Sequence, residues 1–281
     1  MESGIDNIVV NPGSIEVSSR DKVKTDKRDA KKLAEQLSDY RLKSIYIPSE
    51  KEERLRLLTR LRATLVKDRA RFACRIKSKL FQFGYNEELV DDATASVKWI
   101  HALQGIEYFD YELKYVIDYL CKQWLQLTQD LTAINKEIAK QSKNDERLGK
   151  LEEIYKSFPG IGNTSAKELS RELGTLSQFS SNKQAYSYIG LTPSESSSGE
   201  KRRQGGISHC GRPRLRHLLI EIAWRHTAKD VGMNKKFVEL SHRRGKKRAI
   251  VAVARILIGR LRCCLMKSAL YEPQGEFIEY S

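Results

Sequence analysis

The sequence predicts a mainly α-helical protein, and two observations support that prediction. From Ser49 to Phe158 the 281-residue chain contains no proline and only three glycines, so little interrupts helix formation there. Within this region apolar residues recur at alternating steps of four and three, the pattern of a helix that pairs along a seam. The seam consists of Leu113, Ile117, Leu120, Trp124, Leu127, Leu131, Ile134 and Ile138.

Residues 1–48 are expected to form a small N-terminal domain. The β-branched run Ile8-Val9-Val10, closed by Asn11-Pro12, predicts a buried strand that enters a turn. Thr25 or Asp26 is expected to cap a helix, whose apolar face is formed by Ala30, Leu33, Ala34 and Leu37. Asp26 and Asp29 stand three positions apart at its start, which fits either a dipole-favoured first turn or half of a Mg²⁺ site.

Residues 49–150 are expected to be a helical, coiled-coil region. We expect one long helix from Ser49 that ends at Gly84, a short bridging helix around Trp99, and a second long helix from about Tyr108 to Ser142. The seam predicts antiparallel packing of the two long helices, a dimer between chains, or both. The first helix also has a basic face, which is either solvated or in contact with nucleic acid; it includes Arg54, Arg56, Arg60, Arg62, Lys67 and Arg69.

Residues 151–270 are expected to form a helical C-terminal domain, followed by a loose tail at 271–281. Phe158-Pro159-Gly160-Ile161-Gly162 predicts a hairpin between two helices. Its backbone N–H groups, at Gly160 and Gly162, either face a phosphate or belong to a plain glycine turn. The segment from Pro193 to Gly211 is expected to be a loop or hairpin. Two long helices should follow, the first with Trp224 on its apolar face.

Charge predicts a nucleic-acid partner. The chain has 51 Lys and Arg against 36 Asp and Glu, a net charge of +15, and phosphate contacts made by such a surplus release counterions. No carboxylate occurs between Glu200 and Glu221. The expected phosphate-binding residues in that gap and in a later basic cluster are Lys201, Arg202, Arg203, Arg212, Arg214, Arg216, Lys246 and Lys247.

Other classes of protein are disfavoured. Five cysteines without a C-x-x-C pair argue against a disulfide framework and against structural zinc. With no run of 18 apolar residues and no secretory leader, we expect a cytoplasmic protein without membrane contact.

Four motifs together resemble the transposases of the IS-one-ten insertion-sequence family. They are Lys-Thr-Asp-x-x-Asp-Ala at 24–30, Pro-Gly-Ile-Gly at 159–162, Gly-Leu-x-Pro-Ser-x-x-x-Ser-Gly at 190–199, and Gly-Ile-Ser-x-x-Gly-x-x-x-Leu-Arg at 206–216. The resemblance covers nearly the whole chain. The glycine hairpin at 159–162 itself resembles a helix-hairpin-helix. The two motifs that follow it in the chain are the most specific part of the resemblance to the family.

The resemblance implies a RuvC-like N-terminal domain with a DEDD metal site, and a C-terminal domain with a serine nucleophile. It further implies DNA as substrate, a structured guide RNA, and an oligomer whose subunits share active sites. By position, Asp26 and Asp29 match two Mg²⁺-binding acids. Ser198 matches the nucleophile, Ser197 is the alternative, and Ser208 is a weaker one.

The sequence departs from the family pattern near its start. The family's other two acids, an early Asp and a later Glu, have no counterpart before Asn11-Pro12. We therefore expect an N-terminally truncated chain with an incomplete metal site and little activity on its own. Two other functions stay open: a non-catalytic nucleic-acid-binding remnant that dimerises through its seam, and a helix-hairpin-helix repair scaffold in which the serines only form turns.

Overall fold

The computed structural model describes residues 7–16, 25–42, 44–85, 95–198, 201–208 and 210–273. Helices dominate these residues, which confirms the mainly α-helical class. The chain divides into two compact units, Met1–Glu53 and Arg54–Ser281. None of the described helices is long and apolar enough to cross a membrane.

The N-terminal unit contains a 3₁₀ turn, Pro12–Ser14, and helix α1, Asp26–Ser38. Thr25 caps α1, because its side chain accepts a hydrogen bond from the Arg28 N–H. The expected buried strand is wrong. Val10 forms one isolated bridge with Ser44, and Val9 is 44% exposed, because nothing else in the described part of this unit pairs with the segment or covers it.

The expected apolar face of α1 is also wrong. Leu33 and Leu37 are exposed, whereas Gln36 is buried. Gln36 fits there because its amide hydrogen-bonds both backbone groups of Glu16, at 2.9 Å to the carbonyl and 3.2 Å from the N–H. A polar side chain with both partners supplied can replace an apolar one in a small core.

Helix α2, Glu50–Gln82, leads from the first unit into the second. The elements that follow are α3 (Val97–Gln104), α4 (Tyr111–Asn144), α5 (Glu146–Lys156), α6 (Asn163–Leu173), α7 (Asn182–Ile189), strands β1 (Pro193–Ser198) and β2 (Lys201–Ile207), α8 (Pro213–Thr227), α9 (Val231–Arg244) and α10 (Lys246–Lys267).

The seam of α4 packs antiparallel on α2 within the chain. Leu58 and Leu65, early in α2, contact Leu131, Ile134 and Ile138, late in α4. At the other end, the late α2 residues Ile76 and Leu80 join the early α4 residues Ile117 and Trp124. The expected antiparallel pairing is confirmed, with Cys121 rather than Leu120 fully buried.

The C-terminal core surrounds α10. Val253, Leu257 and Leu261 are completely buried in a cluster that also includes residues of α5 to α8. The expectation of two C-terminal helices is wrong, because a third helix, α9, lies between them. Asp230 starts α9 by accepting a hydrogen bond from the Met233 N–H at 2.8 Å. Trp224, expected on an apolar face, is 40% exposed.

Candidate functional site

Strands β1 and β2 form an antiparallel hairpin, which confirms the expected non-helical segment. Ser198 pairs with Lys201 and Ser197 with Arg202, at the tip end of the hairpin. The backbone therefore places both candidate serines opposite basic residues. The neighbouring pair, Ser196 with Arg203, continues the pattern. For residues 195–198 and 201–204 the structure describes the backbone alone.

Two motif glycines close the base of this hairpin. Gly190 and Gly211 both have positive φ, +84° and +83°, and their backbones touch. A Cβ on Gly190 would lie 2.0 Å from the Cys210 carbonyl oxygen, and one on Gly211 would lie 2.7 Å from the Gly190 nitrogen. Side chains at either position would force these backbones apart, so the glycines of the two motifs are required by a single crossing.

The polar residues around the crossing form hydrogen bonds that stabilise it. Arg216 donates from Nη1 to the Cys210 carbonyl oxygen at 3.1 Å. The Ser208 N–H donates to the Thr192 carbonyl oxygen at 3.0 Å, and the two hydroxyl oxygens lie 3.2 Å apart. Arg216 and Ser208 thus serve the hairpin base, away from its tip.

The acid-free strip of the sequence meets carboxylates from α6. Glu172, 4% exposed, accepts from Arg60 Nε at 2.7 Å and from Arg212 Nη1 at 2.9 Å. Arg56 is also buried and donates from Nε to the Arg171 carbonyl oxygen at 3.0 Å. Arg212, which looked available for phosphate in the sequence, is therefore paired with a carboxylate inside the protein.

A second carboxylate of α6 continues this network. Arg214 donates from Nε to Glu168 at 2.7 Å and from Nη2 to the Thr59 carbonyl oxygen at 3.2 Å. We call the set Arg56, Arg60, Glu168, Glu172, Arg212 and Arg214 the arginine joint. It ties α2 and the start of α8 to α6, and part of the basic face of α2 is therefore structural.

The glycine turn between α5 and α6 has one packed side and one open side. Gly160 has φ +92°, and a Cβ there would lie 2.8 Å from the His226 nitrogen of α8. The Pro159 carbonyl oxygen lies 2.7 Å from His226 Nδ1, which donates to it. Gly162, in contrast, has nothing within 4 Å of its Cβ position, and Asn163 and Thr164, which begin α6, are exposed.

A buried polar cluster lies beneath this turn. The Tyr271 hydroxyl contacts Asp230 Oδ2 at 2.5 Å, its ring stacks on Phe158 at 4.2 Å, and burial raises its pKa to about 12. Burial also lowers the pKa of His226, whose Nε2 lies 3.9 Å from Asp230. The expectation of a loose tail from Tyr271 is wrong for this residue. The i, i+4 spacing of His226 and Asp230 was the available sequence signal.

The two candidate metal ligands lie on the first turn of α1. Asp26 is exposed, and Asp29 lies 3.7 Å from Lys32 Nζ. Carboxylate oxygens suit Mg²⁺, which prefers six oxygen ligands, so the pair fits part of such a site. Within the described residues no three His, Cys, Asp or Glu side chains come together as a metal-binding group.

Comparison with known proteins identifies the class. A family model described as Transposase IS116/IS110/IS902 family matches residues 152–239, the region of the glycine turn, the serine hairpin and α8. A second model, for DEDD transposases of the IS110 type, matches residues 1–84. By these two matches the chain falls within the class of insertion-sequence transposases. Within that class it belongs to the IS110 family, the IS-one-ten family that its motifs resemble.

Curated relatives agree at low identity. The chain is 26% identical to the putative transposase y4qE of Sinorhizobium fredii over 79% of its own length and 53% of the relative's. It is 26% identical to the transposase for insertion sequence element IS1111A of Coxiella burnetii, over 90% and 70% of the two chains. For the putative transposase y4rJ of Sinorhizobium fredii the identity is 28%, over 89% and 69%. The chain thus spans about half of the first relative and about seven-tenths of the other two.

Proposed function

We propose that this protein takes part in DNA transposition by cutting and rejoining DNA through Ser198, with Ser197 as the alternative nucleophile. The observation that carries the proposal is the hairpin. Its base is fixed by the crossing of Gly190 and Gly211, and Ser198 pairs with Lys201 at its far end. A nucleophile in a fixed place beside a cation suits attack on a phosphodiester.

The chemistry is a pair of transesterifications. The Ser198 oxygen forms a bond to a DNA phosphorus, the bond from phosphorus to the strand oxygen breaks, and that strand hydroxyl receives the serine proton. A hydroxyl of a second strand then attacks the same phosphorus, and the serine oxygen leaves and regains a proton. Because the phosphoserine ester conserves the bond, no nucleotide cofactor is consumed.

Asp26 and Asp29 would hold part of a divalent metal site, with Mg²⁺ as the expected ion, and the match to a DEDD transposase model supports this role. A bound metal would supply Lewis-acid stabilisation of charge on the phosphoryl group. A guide RNA and an oligomer with shared active sites are proposed on the strength of the family alone.

We propose that the glycine turn contacts the DNA backbone from its open side. The first N–H groups of α6 have no partner within the helix, and the exposed Gly162 and Asn163 leave them accessible. Helix N-termini of this kind favour phosphate. Gly160, by contrast, is expected to serve the packing against α8 rather than DNA.

The nucleophile is tested with DNA of a transposon end, its RNA and the divalent metal, by following the covalent protein–DNA adduct after denaturation. Ser198→Ala should abolish the adduct and strand joining without weakening DNA binding, whereas the matched Ser197→Ala should retain both. Loss of the adduct in Ser197→Ala alone would move the role to Ser197. Binding without any adduct in the wild-type protein would contradict the proposal and favour a non-catalytic nucleic-acid-binding protein.

The turn is tested with Asn163→Pro, which removes one N–H donor at a position where helices accept proline. We expect a three- to tenfold loss of DNA affinity, roughly the worth of one charge-assisted hydrogen bond, with an unchanged unfolding free energy. An unchanged affinity would mean that the segment is a plain turn.

A further inference from the structure

A groove of about 400 Å³ lies at the base of the serine hairpin, between the hairpin and the junction of α9 with α10. Its floor is apolar and combines residues from the hairpin and from both helices. They are Leu191, Pro193, Ile207, Leu240 and Val251. The floor is partly open, since Pro193 is exposed and Ile207 and Leu240 are half-buried.

The rim of the groove is cationic. It is formed by Arg244, Lys247, Arg248 and Arg255, and no acidic residue is among the described residues that line it. Arg255 lies over the Tyr186 ring, with its guanidinium carbon 4.8 Å from the ring centroid. Among the described residues, Glu239 pairs with Lys236 and Arg243 and Asp230 with Arg260, so none of these ion pairs includes one of the other three rim residues. This is the opposite of the arginine joint, where each guanidinium has an acid.

An apolar floor under an uncompensated cationic rim selects an anion that also presents a flat apolar surface. A nucleotide with an unpaired base has both parts, because its phosphate can meet the rim and its base the floor. A duplex does not, since its base faces are stacked inside. The groove therefore fits a single strand better than a double helix.

Position favours the DNA strand on which the serine would act. Pro193 lines the groove and is the first residue of β1, and Ser198 is the last residue of that strand. The five residue steps between them correspond to about 17 Å, the rise of roughly five nucleotides in a stacked strand and of fewer in an extended one. A strand held at Ser198 can reach the groove within a few nucleotides.

We propose that this groove binds a single DNA strand through an unpaired nucleotide a few positions from the phosphate that Ser198 attacks. The assignment rests on the proposed function, and it adds a binding site that the serine chemistry does not require. Extruding one nucleotide would hold the strand in register at the hairpin, since a base in a pocket cannot slide as a backbone can.

The chain offers matched controls. Arg244 and Lys247 line the groove, whereas their neighbours Arg243 and Lys246 do not. Two double variants can be compared, Arg244→Ala/Lys247→Ala in the groove and Arg243→Ala/Lys246→Ala as the control. Each removes two positive charges, and each alters the end of α9 and the start of α10. Any difference between them reports position, not total charge.

The test is fluorescence anisotropy with a labelled short thymidine oligonucleotide, the same length of abasic strand, and the corresponding uridine RNA. The groove double variant should lose about tenfold or more in affinity for the DNA strand, and the control double variant about threefold or less. Leu240→Ala should weaken the thymidine strand and leave the abasic strand unchanged. Ser198→Ala should bind as the wild type does, so failure of the serine chemistry is distinguishable from failure of the groove.

Equal losses in the two double variants would overturn the site, because they would mean diffuse charge attraction. Equal binding of thymidine and abasic strands by wild-type protein would overturn the role of the floor. Tighter binding of RNA than of DNA would overturn the assignment to a DNA strand. Urea unfolding of each variant separates loss of binding from loss of folding.

Discussion

The arginine joint and the groove rim contain the same kind of residue in opposite circumstances. In the joint, Arg60 and Arg212 share the buried carboxylate of Glu172, at 2.7 and 2.9 Å. At the rim, Arg244, Lys247 and Arg248 lie together without an acid among the described groove residues. A buried charge is stable only when paired, whereas an exposed like-charged group is tolerated at a small cost. The difference assigns the first cluster to the fold and the second to a ligand.

The largest expected effect is at Glu172. Glu172→Ala removes the carboxylate that Arg60 and Arg212 share and that lies 4.0 Å from Arg56 Nε, and Arg56 is only 2% exposed. Removing one partner of a buried ion pair costs about 3–5 kcal/mol, so we expect a loss of that size in the urea unfolding free energy. The control is Glu239→Ala, because the pairs that Glu239 forms with the described residues Lys236 and Arg243 are exposed, and such pairs are worth about 0–1 kcal/mol. Similar losses in both would contradict the structural role of the joint.

Glu168→Ala should have a smaller effect. Glu168 holds one arginine, Arg214, whose side chain is 32% exposed and can turn to water. We expect a loss of about 1–3 kcal/mol by the same unfolding measurement. We expect the loss of stability to follow the number and the burial of the arginines that each carboxylate holds. A loss larger than that of Glu172→Ala would contradict this expectation.

Acid should destabilise the cluster beneath the glycine turn. Burial lowers the pKa of His226 in the folded protein, so the unfolded chain binds the proton more tightly. The contribution of His226 to the unfolding free energy should therefore be constant above about pH 6.5 and fall as pH decreases below it. His226→Asn should remove this dependence, compared with wild type at the same pH values. A wild-type stability that rises between pH 6.5 and 5 would contradict the sign.

The smallest effect is expected at the rim, and it has the opposite sign to that of the joint. Lys247 occupies the first turn of α10, where the helix dipole repels a cation. Lys247→Ala should raise the unfolding free energy by about 0.3–1 kcal/mol at low salt, and the gain should shrink in high salt. Destabilisation by this variant would mean that the rim is a second joint and not an open site.

Much of the fold could be predicted because its signals are local. The seam of α4, the glycine that ends α2 and the bridging helix follow from periodicity and breakers within a few turns. The hairpin at 193–207 follows from the glycines and serines of its segment. Helix α9 was missed because its start depends on one cap, Asp230, inside a basic, weakly periodic stretch.

The candidate site was predictable as a set of residues but not as a set of roles. Arg212 and Arg216 look like phosphate ligands in the sequence because nothing near them in the chain reveals their partners. Glu172 lies 40 positions before Arg212. The groups that accept from Arg216 are backbone carbonyl oxygens, which every residue has, so the sequence cannot single them out. The groove could not be found either, since its floor unites residues from 191 to 251 that meet only after α9 and α10 have packed.

The crossing of Gly190 and Gly211 makes most of the twenty-residue segment between them exchangeable. The chain leaves the core and returns to it at one point, so the entropic cost of closing the loop is met at that point and grows only slowly with added length. Leu191 belongs to the hydrophobic core, but insertions, deletions or swaps between Pro193 and Ile207 should leave the helical core intact. Diversification among related sequences, and protein engineering, can therefore reshape the tip of the hairpin without redesigning its support.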